Sequence, residues 1–153
     1  MRLRIALPTD LPEMQQLYTE TIQEICIEDY SQPQIDEWKT TAKNAARWDN
    51  VLKNQLVIVA EKNNKMVGFG TLRDGNYIDF FYIHKNFQRQ GIAENILLQL
   101  ETQAKKSGNF HLTSDVSITA RPFFEKKGFL TLKEQVNVRN GVELINYKME
   151  KTL

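Results

Sequence analysis

The segment Gln88-Arg89-Gln90-Gly91-Ile92-Ala93 decides the fold, because it joins an apolar strand-like run to an amphipathic helix. Before it, residues 77–83 are rich in aromatic and β-branched side chains, which favour a strand. The first N–H groups of a helix lack acceptors and carry partial positive charge, so the sequence predicts a turn that holds a phosphate group. Gly91 would let the main chain approach that anion closely. After the turn, apolar residues recur at helical spacing: Ile92, Ile96, Leu97, Leu100 and Ala104.

The composition is that of one globular domain, which we predict to span residues 1–153. Of the 153 residues, 41% are hydrophobic and 25% are charged, which argues against disorder. The 20 Lys+Arg and 19 Asp+Glu give a formal charge of +1, so we expect no nucleic-acid partner and no membrane partner. No run approaches the ~20 apolar residues of a membrane span, and a cytoplasmic protein is expected. The single cysteine, Cys26, cannot form an internal disulfide, and we expect it to pack.

The helix after Gly91 has a topological consequence. A strand reached through a helical crossover should lie parallel to the strand before it, so residues 110–116 are predicted to pair in parallel with residues 77–83. We expect Asp10 to cap a helix that starts near Pro12, and Thr119 to cap a short helix at 120–127. Further strands are predicted at 2–6, 55–61, 66–72, 129–138 and 142–150, and one or two short helices within 28–54.

This order of elements, together with two motifs, resembles the GNAT family of N-acetyltransferases. The first motif is the turn Gln-x-x-Gly-x-Ala at 88–93, and the second is Ser117-Ile-Thr-Ala-Arg-Pro-Phe-Phe-Glu-Lys-Lys-Gly-Phe129. The resemblance covers nearly the whole chain. It implies an α/β (α+β) fold: a mixed, mostly antiparallel sheet of about seven strands, helices on both faces and one parallel, splayed strand pair.

The resemblance also implies acetyl-CoA as co-substrate. In the family the turn receives the pyrophosphate, and Gln88, Gly91 and Ala93 match its pattern. The exposed edge of the splayed strand hydrogen-bonds the pantetheine arm there, much as an added strand would. The predicted cofactor-binding residues are Phe81, Tyr82, Ile83, Gln88, Arg89, Gln90, Gly91, Ile92, Ala93, Ser117 and Phe124.

The sequence departs from the family where a tyrosine commonly protonates the leaving thiolate. That position holds Phe124, which has no proton to give. A thiol with a pKa near ~8.5 is a tolerable leaving group, so solvent or a hydroxyl from elsewhere could suffice. The candidates for that hydroxyl are Tyr82, Tyr30 and Ser117, and Ser117 could equally serve the start of the following helix.

Asp79 is the predicted general base. Simple alternation along a strand places it on one face with Tyr77, Phe81 and Ile83, where partial burial would raise the pKa of its carboxyl. The alternative is that Asp79 faces solvent or pairs with a lysine. Asp115 ends the parallel strand on the side where open sheets bind ligands. His84 is a weaker base candidate, and no metal-ligand cluster or phosphate-loop motif is present.

Three functions remain open at this point. The first is an N-acetyltransferase that moves an acetyl group from acetyl-CoA to a primary amine of a small molecule or protein. The second, motivated by Phe124, is a non-catalytic acyl-CoA-binding sensor. The third is a small nucleotide-binding domain that uses the same turn for another diphosphate. The resemblance further implies an acceptor pocket built from residues 28–54 and strand-connecting loops, and the last two strands could pair across a homodimer.

Overall fold

One sheet of seven strands runs through the centre of the computed structural model, which describes residues 1–153. Its strand order is β1-β2-β3-β4-β5-β7-β6, and every neighbouring pair is antiparallel except β4 and β5. The predicted parallel pair and the predicted mixed sheet are therefore confirmed. The strands are β1 (Arg2–Ile5), β2 (Leu56–Lys62), β3 (Lys65–Arg73), β4 (Tyr77–Ile83), β5 (His111–Ser117), β6 (Leu130–Arg139) and β7 (Val142–Thr152).

Five α-helices and three short 3₁₀ turns cover the two faces of this sheet. A capping box closes the start of α2, where the Ser31 hydroxyl accepts the Gln34 N–H and the Gln34 side chain accepts the Ser31 N–H. The helices are α1 (Leu11–Glu24), α2 (Gln32–Lys39), α3 (Ala45–Asn54), α4 (Ile92–Lys106) and α5 (Arg121–Lys126), and the 3₁₀ turns are Pro8–Asp10, Cys26–Glu28 and Thr40–Lys43.

Two expected caps act elsewhere. The Asp10 carboxylate does not cap α1, because it accepts the Leu7 N–H of the preceding turn and pairs with the Arg4 guanidinium at 2.7 Å. Thr119 does not cap α5 either, since its hydroxyl donates to the Asp29 carboxylate at 2.8 Å. Both side chains use partners that are distant in the sequence or lie across a turn, which local patterning does not reveal.

The core consists of two apolar clusters, one on each face of the sheet. The first lies under α1, α2 and α3, and the second lies under α4 and α5. Helices on both faces, as predicted, are thus confirmed. Fully buried members of the first cluster include Met14, Ile22, Ile35, Trp48 and Phe69, and members of the second include Ile96, Leu100, Leu112, Phe124 and Phe129.

The sheet opens between β4 and β5. These strands pair only at Tyr77 with Thr113 and at Ile78 with Ser114, and they diverge beyond that point. On the other side of β4 the ladder to β3 shifts by one residue between Gly70 and Leu72. This shift is a β-bulge, which bends a strand and increases its twist. One edge of β4 after Ile78 is therefore left without a neighbouring strand.

The molecule contains no helix with the length and apolarity needed to span a membrane.

Candidate active site

The turn before α4 presents a row of free backbone donors. No N–H group from Gln88 to Glu94 has an acceptor within the protein, and the Asn95 N–H is the first to find one, the Gly91 carbonyl at 3.1 Å. Arg89 and Gly91 both adopt positive φ values, 58° and 81°. A left-handed conformation is costly for a residue other than glycine, and such outliers cluster at ligand sites. The geometry suits an anion, as the sequence indicated.

Gln88 has a structural task in this turn. Its side-chain amide donates to the Ile83 carbonyl at 2.7 Å and to the His84 carbonyl at 3.3 Å. The Thr21 hydroxyl donates to the same Ile83 carbonyl at 2.9 Å. The Gln88 bonds connect the turn to the end of β4, so Gln88, the first residue of the motif, positions the turn through its side chain.

A cleft of about 890 Å³ runs from this turn along the open edge of β4. Phe81, Tyr82 and Ile83 pair with Gly70, Phe69 and Gly68 of β3, and their other edge faces the cleft. All the residues predicted to bind the cofactor line this cleft except Phe124: Phe81, Tyr82, Ile83, Gln88, Arg89, Gln90, Gly91, Ile92, Ala93 and Ser117.

A second cavity, of about 320 Å³, meets the cleft where β4 and β5 separate. Four residues line both spaces, namely Phe81, Tyr82, Ser117 and Ala120. Tyr30 and Trp38 also line this cavity, and they come from residues 28–54, the segment that the resemblance implied for the acceptor pocket. The β6–β7 hairpin supplies a wall that sequence reasoning missed, with Asn137, Arg139, Leu144, Ile145 and Asn146. Alternating polar side chains at 135–139 were the available signal for that wall.

Asp79 does not have the environment expected of a general base. Its side chain is 7% exposed and receives two hydrogen bonds of 2.7 Å from Arg47 and one of 2.7 Å from Gln55. Burial acts to raise the pKa of the Asp79 carboxyl, but the hydrogen bonds from these two side chains outweigh it, so the pKa lies below its ordinary value. The predicted raised pKa is therefore wrong.

The prediction that Asp79 shares a face with Phe81 and Ile83 is also wrong, because β4 contains the bulge. Arg47, which binds Asp79, also lies over the Phe80 ring at 4.6 Å, on the side of the first cluster. Phe81 and Ile83 belong to the second cluster. The bulge inserts one residue, so simple alternation fails between Asp79 and Phe81.

Three hydroxyls are candidates to replace that of the missing tyrosine. Tyr30 donates to the Ile145 carbonyl at 2.6 Å and accepts the Ile118 N–H at 2.9 Å, and burial raises its pKa to about 12. The Ser117 hydroxyl accepts the Ala120 N–H at 3.0 Å, which is the helix-start role. The Tyr82 hydroxyl lies near Trp38 and Tyr18, and burial raises its pKa well above the ordinary value.

Phe124 is almost fully buried and belongs to the second cluster. Its ring lies 5.2 Å from Phe81, 5.6 Å from Phe123 and 5.0 Å from Phe129, measured between centroids. It lines the second cavity and not the cleft. Phe124 thus packs between the second cavity and the second cluster, and its ring carries no hydroxyl that could donate a proton there.

The thiol of Cys26, the imidazole of His84 and the carboxylate of Asp115 are the other candidate groups. Burial raises the pKa of the Cys26 thiol to about 11, so it stays protonated at neutral pH. His84 accepts the Asn86 N–H at its Nδ1, and burial lowers its pKa. The Asp115 carboxylate accepts the Tyr77 hydroxyl at 3.0 Å and the Gln135 amide at 2.9 Å, and it lines the second cavity. No cluster of metal-ligating side chains is present.

Comparison with known proteins supports the resemblance. A family model described as an acetyltransferase (GNAT) domain matches residues 26–151. The chain is 31% identical over 149 residues to the uncharacterized N-acetyltransferase YafP of Escherichia coli K12, covering 97% of this chain and 94% of the relative.

Solved structures agree with this family match. The GCN5-related N-acetyltransferase of Rhodopseudomonas palustris superposes with a TM-score of 0.95 at 30% identity, covering 99% of this chain and 95% of that one. The PaiA N-acetyltransferase of Thermoplasma acidophilum, solved with coenzyme A, gives a TM-score of 0.78 at 20% identity over 100% of both chains. The Salmonella typhimurium yncA protein, solved with acetyl-CoA, gives 0.66 at 18% identity, covering 100% and 94%. This chain belongs to the GNAT family of acetyltransferases, as its two motifs predicted.

Proposed function

We propose that this protein transfers the acetyl group of acetyl-CoA to a primary amine of a small molecule or protein by direct attack. The observation that carries the proposal is the meeting of two spaces at the point where β4 and β5 separate. One space offers unpaired backbone groups beside an anion-binding turn. The other is a smaller cavity that opens onto the same residues. A two-substrate transfer needs this arrangement.

The cofactor lies in the larger cleft in this proposal. Its diphosphate binds the free N–H groups between Gln88 and Glu94, where the dipole of α4 adds positive charge. The Arg89 side chain lines the same turn and supplies a full positive charge. The pantetheine arm then pairs with the open edge of Phe81–Ile83 as an extra strand.

The amine reaches the thioester through the second cavity. At about 320 Å³ this cavity is near the lower end of the range for small-molecule pockets, which suits a small amine or a single side chain. The Asp79 charge is already neutralised by Arg47, whereas the donors to Asp115 are the neutral groups of Tyr77 and Gln135. Asp115 therefore offers the cavity a negative charge that attracts an ammonium group.

The reaction is an attack of the neutral amine on the thioester carbonyl. The amine loses a proton to water, because Asp79 is bound by Arg47 and is a weak base. The new C–N bond forms as the C–S bond breaks, and the sulfur leaves as thiolate. We assign the proton that the thiolate takes up to Tyr82, which lines both spaces and is protonated at neutral pH. Tyr82 then regains a proton from the water that took one from the amine.

The test is an assay of thiol release from acetyl-CoA with a panel of small amines and peptide amines. We expect the release of thiol to depend on the amine. Tyr82→Phe should lower kcat and change the KM for acetyl-CoA little. Tight binding of acetyl-CoA without release for any amine would favour the sensor function, which the buried Phe124 supports. Displacement by nucleotides as effective as that by coenzyme A would instead favour a nucleotide-binding domain.

A homodimer through the last strands remains a proposal. β6 is an edge strand whose exposed apolar side chains include Leu130, at 68%, and Val138, at 65%. Such an edge can pair with a second copy. Sedimentation equilibrium would test this, and a monomer at high concentration would contradict it.

A further inference from the structure

We propose that Thr71 of β3 is a positioning residue for acetyl-CoA, because its hydroxyl holds the β4 bulge that turns the backbone groups of Phe81 and Ile83 toward the cleft. The inference rests on the proposed function, in which the cofactor arm pairs with that edge. Thr71 itself lies behind β4, on the far side from the cleft, and does not line it.

The bulge places two backbone donors of β4 opposite one residue of β3. Phe81 lies opposite Gly70 and Ile78 lies opposite Leu72, so Asp79 and Phe80 share the single residue Thr71. The Phe80 N–H donates to the Thr71 hydroxyl at 3.0 Å, and this bond is buried. Thr71 is 0% exposed, so water cannot take over the acceptor role.

The bulge decides which backbone groups face the cleft. Before it, the carbonyl of Ile78 points toward β5, where it accepts the Ser114 hydroxyl at 2.9 Å. After it, the His84 N–H points toward β3, where it donates to the Val67 carbonyl at 2.9 Å. Even-numbered residues therefore face β5 before the bulge and β3 after it. Phe81, as an odd-numbered residue beyond the bulge, presents its N–H and carbonyl to the open edge.

The end of β4 shows the same orientation. The Ile83 carbonyl points away from β3, since it accepts the Thr21 hydroxyl at 2.9 Å and the Gln88 amide at 2.7 Å. Its N–H shares that edge and stays available. Moving or removing the bulge would turn the groups of Phe81 and Ile83 toward β3 and bring those of their neighbours to the cleft. The hydroxyl of Thr71 favours the productive arrangement.

The test compares two substitutions of Thr71. Thr71→Val keeps the shape and removes the acceptor, whereas Thr71→Ser keeps the acceptor. We expect calorimetry to show acetyl-CoA binding at least tenfold weaker for Thr71→Val and within about threefold of wild type for Thr71→Ser. The KM for acetyl-CoA should rise in the same order, with a smaller change in kcat. Thr131→Val is the matched control, because the Thr131 hydroxyl is buried on β6 without a hydrogen bond.

Equal binding by folded Thr71→Val and wild type would overturn the inference, as would equal losses in Thr71→Ser and Thr71→Val. Failure of the wild type to bind acetyl-CoA would instead overturn the proposed function. Amide exchange in the wild type decides the case if Thr71→Val does not fold. The Phe80 amide should be protected with and without acetyl-CoA, and the amides of Phe81 and Ile83 should gain protection only when it binds. Fast exchange at Phe80 in the free protein would contradict the inference.

Discussion

Replacing Gly91 with glutamate places a negative charge where we propose that the cofactor diphosphate binds. A Cβ built at Gly91 meets no atom within 4 Å, so the side chain fits without a clash. The left-handed φ of 81° makes any L-residue strained, by about 1–2 kcal/mol of folding free energy. One unit charge about 4 Å from another costs about 4 kcal/mol at an effective dielectric constant of about 20. That cost corresponds to a roughly thousandfold weaker Kd.

Gly108 provides a control, because a glutamate there should cause the same backbone strain as at Gly91. It has the same φ of 81° and equally open space around its Cβ position, and it lies beyond the opposite end of α4. Gly91→Glu and Gly108→Glu should therefore lose similar stability in urea denaturation. Calorimetry with acetyl-CoA should show weakened binding for Gly91→Glu alone. A Kd for Gly91→Glu within threefold of the Gly108→Glu value would refute the placement of the diphosphate.

Three further predictions concern the interior of the site. Arg47→Met should lower the free energy of unfolding, measured by urea denaturation, by about 2 kcal/mol. This is less than the ~3–5 kcal/mol for breaking a fully buried pair, because the Arg47 side chain is 35% exposed. Lys53→Met, which breaks an exposed pair with Asp49, is the control, and equal losses would contradict the difference in burial. The pKa of Asp79 in the folded protein lies below its ordinary value of 3.8. Its ion pair with Arg47 therefore stabilises the fold fully at pH values well above 3.8, and this stabilisation is lost as the pH falls through the lower folded pKa. Asp79→Asn should accordingly flatten the decline of stability at acid pH while leaving the rate profile near neutral pH unchanged in shape, and loss of a limb there would restore Asp79 as the base. Phe124→Tyr should raise kcat by up to about 10²-fold if its hydroxyl reaches the thiolate, and unchanged turnover in a folded variant would show that Tyr82 or solvent already suffices.

The features that the sequence predicted well depend on neighbours along the chain. The turn at 88–93 and the helix after it follow from a glycine and from apolar residues at helical spacing. The parallel pairing of β4 and β5 follows from the helical crossover between them. The family assignment drew on the same local motifs, and the comparisons confirm it.

The features that escaped sequence reasoning depend on contacts between distant residues. Asp79 meets Arg47 across 32 positions of sequence, and that partner reverses the expected shift of its pKa. The bulge on β4 lies opposite Thr71 of β3, whose buried hydroxyl accepts the Phe80 N–H, and no alternation pattern within 77–83 indicates it.

The sequence by itself thus determined the family, the order of the elements and the turn with free donors, because each of these follows from the conformational preferences of short segments. The tertiary structure alone decided the protonation state of Asp79, the burial of the Tyr82 hydroxyl and the wall that β6 and β7 add to the second cavity. The physical reason is that pKa, hydrogen-bond satisfaction and cavity shape depend on which groups surround a side chain in space, and only the packed fold brings those groups together.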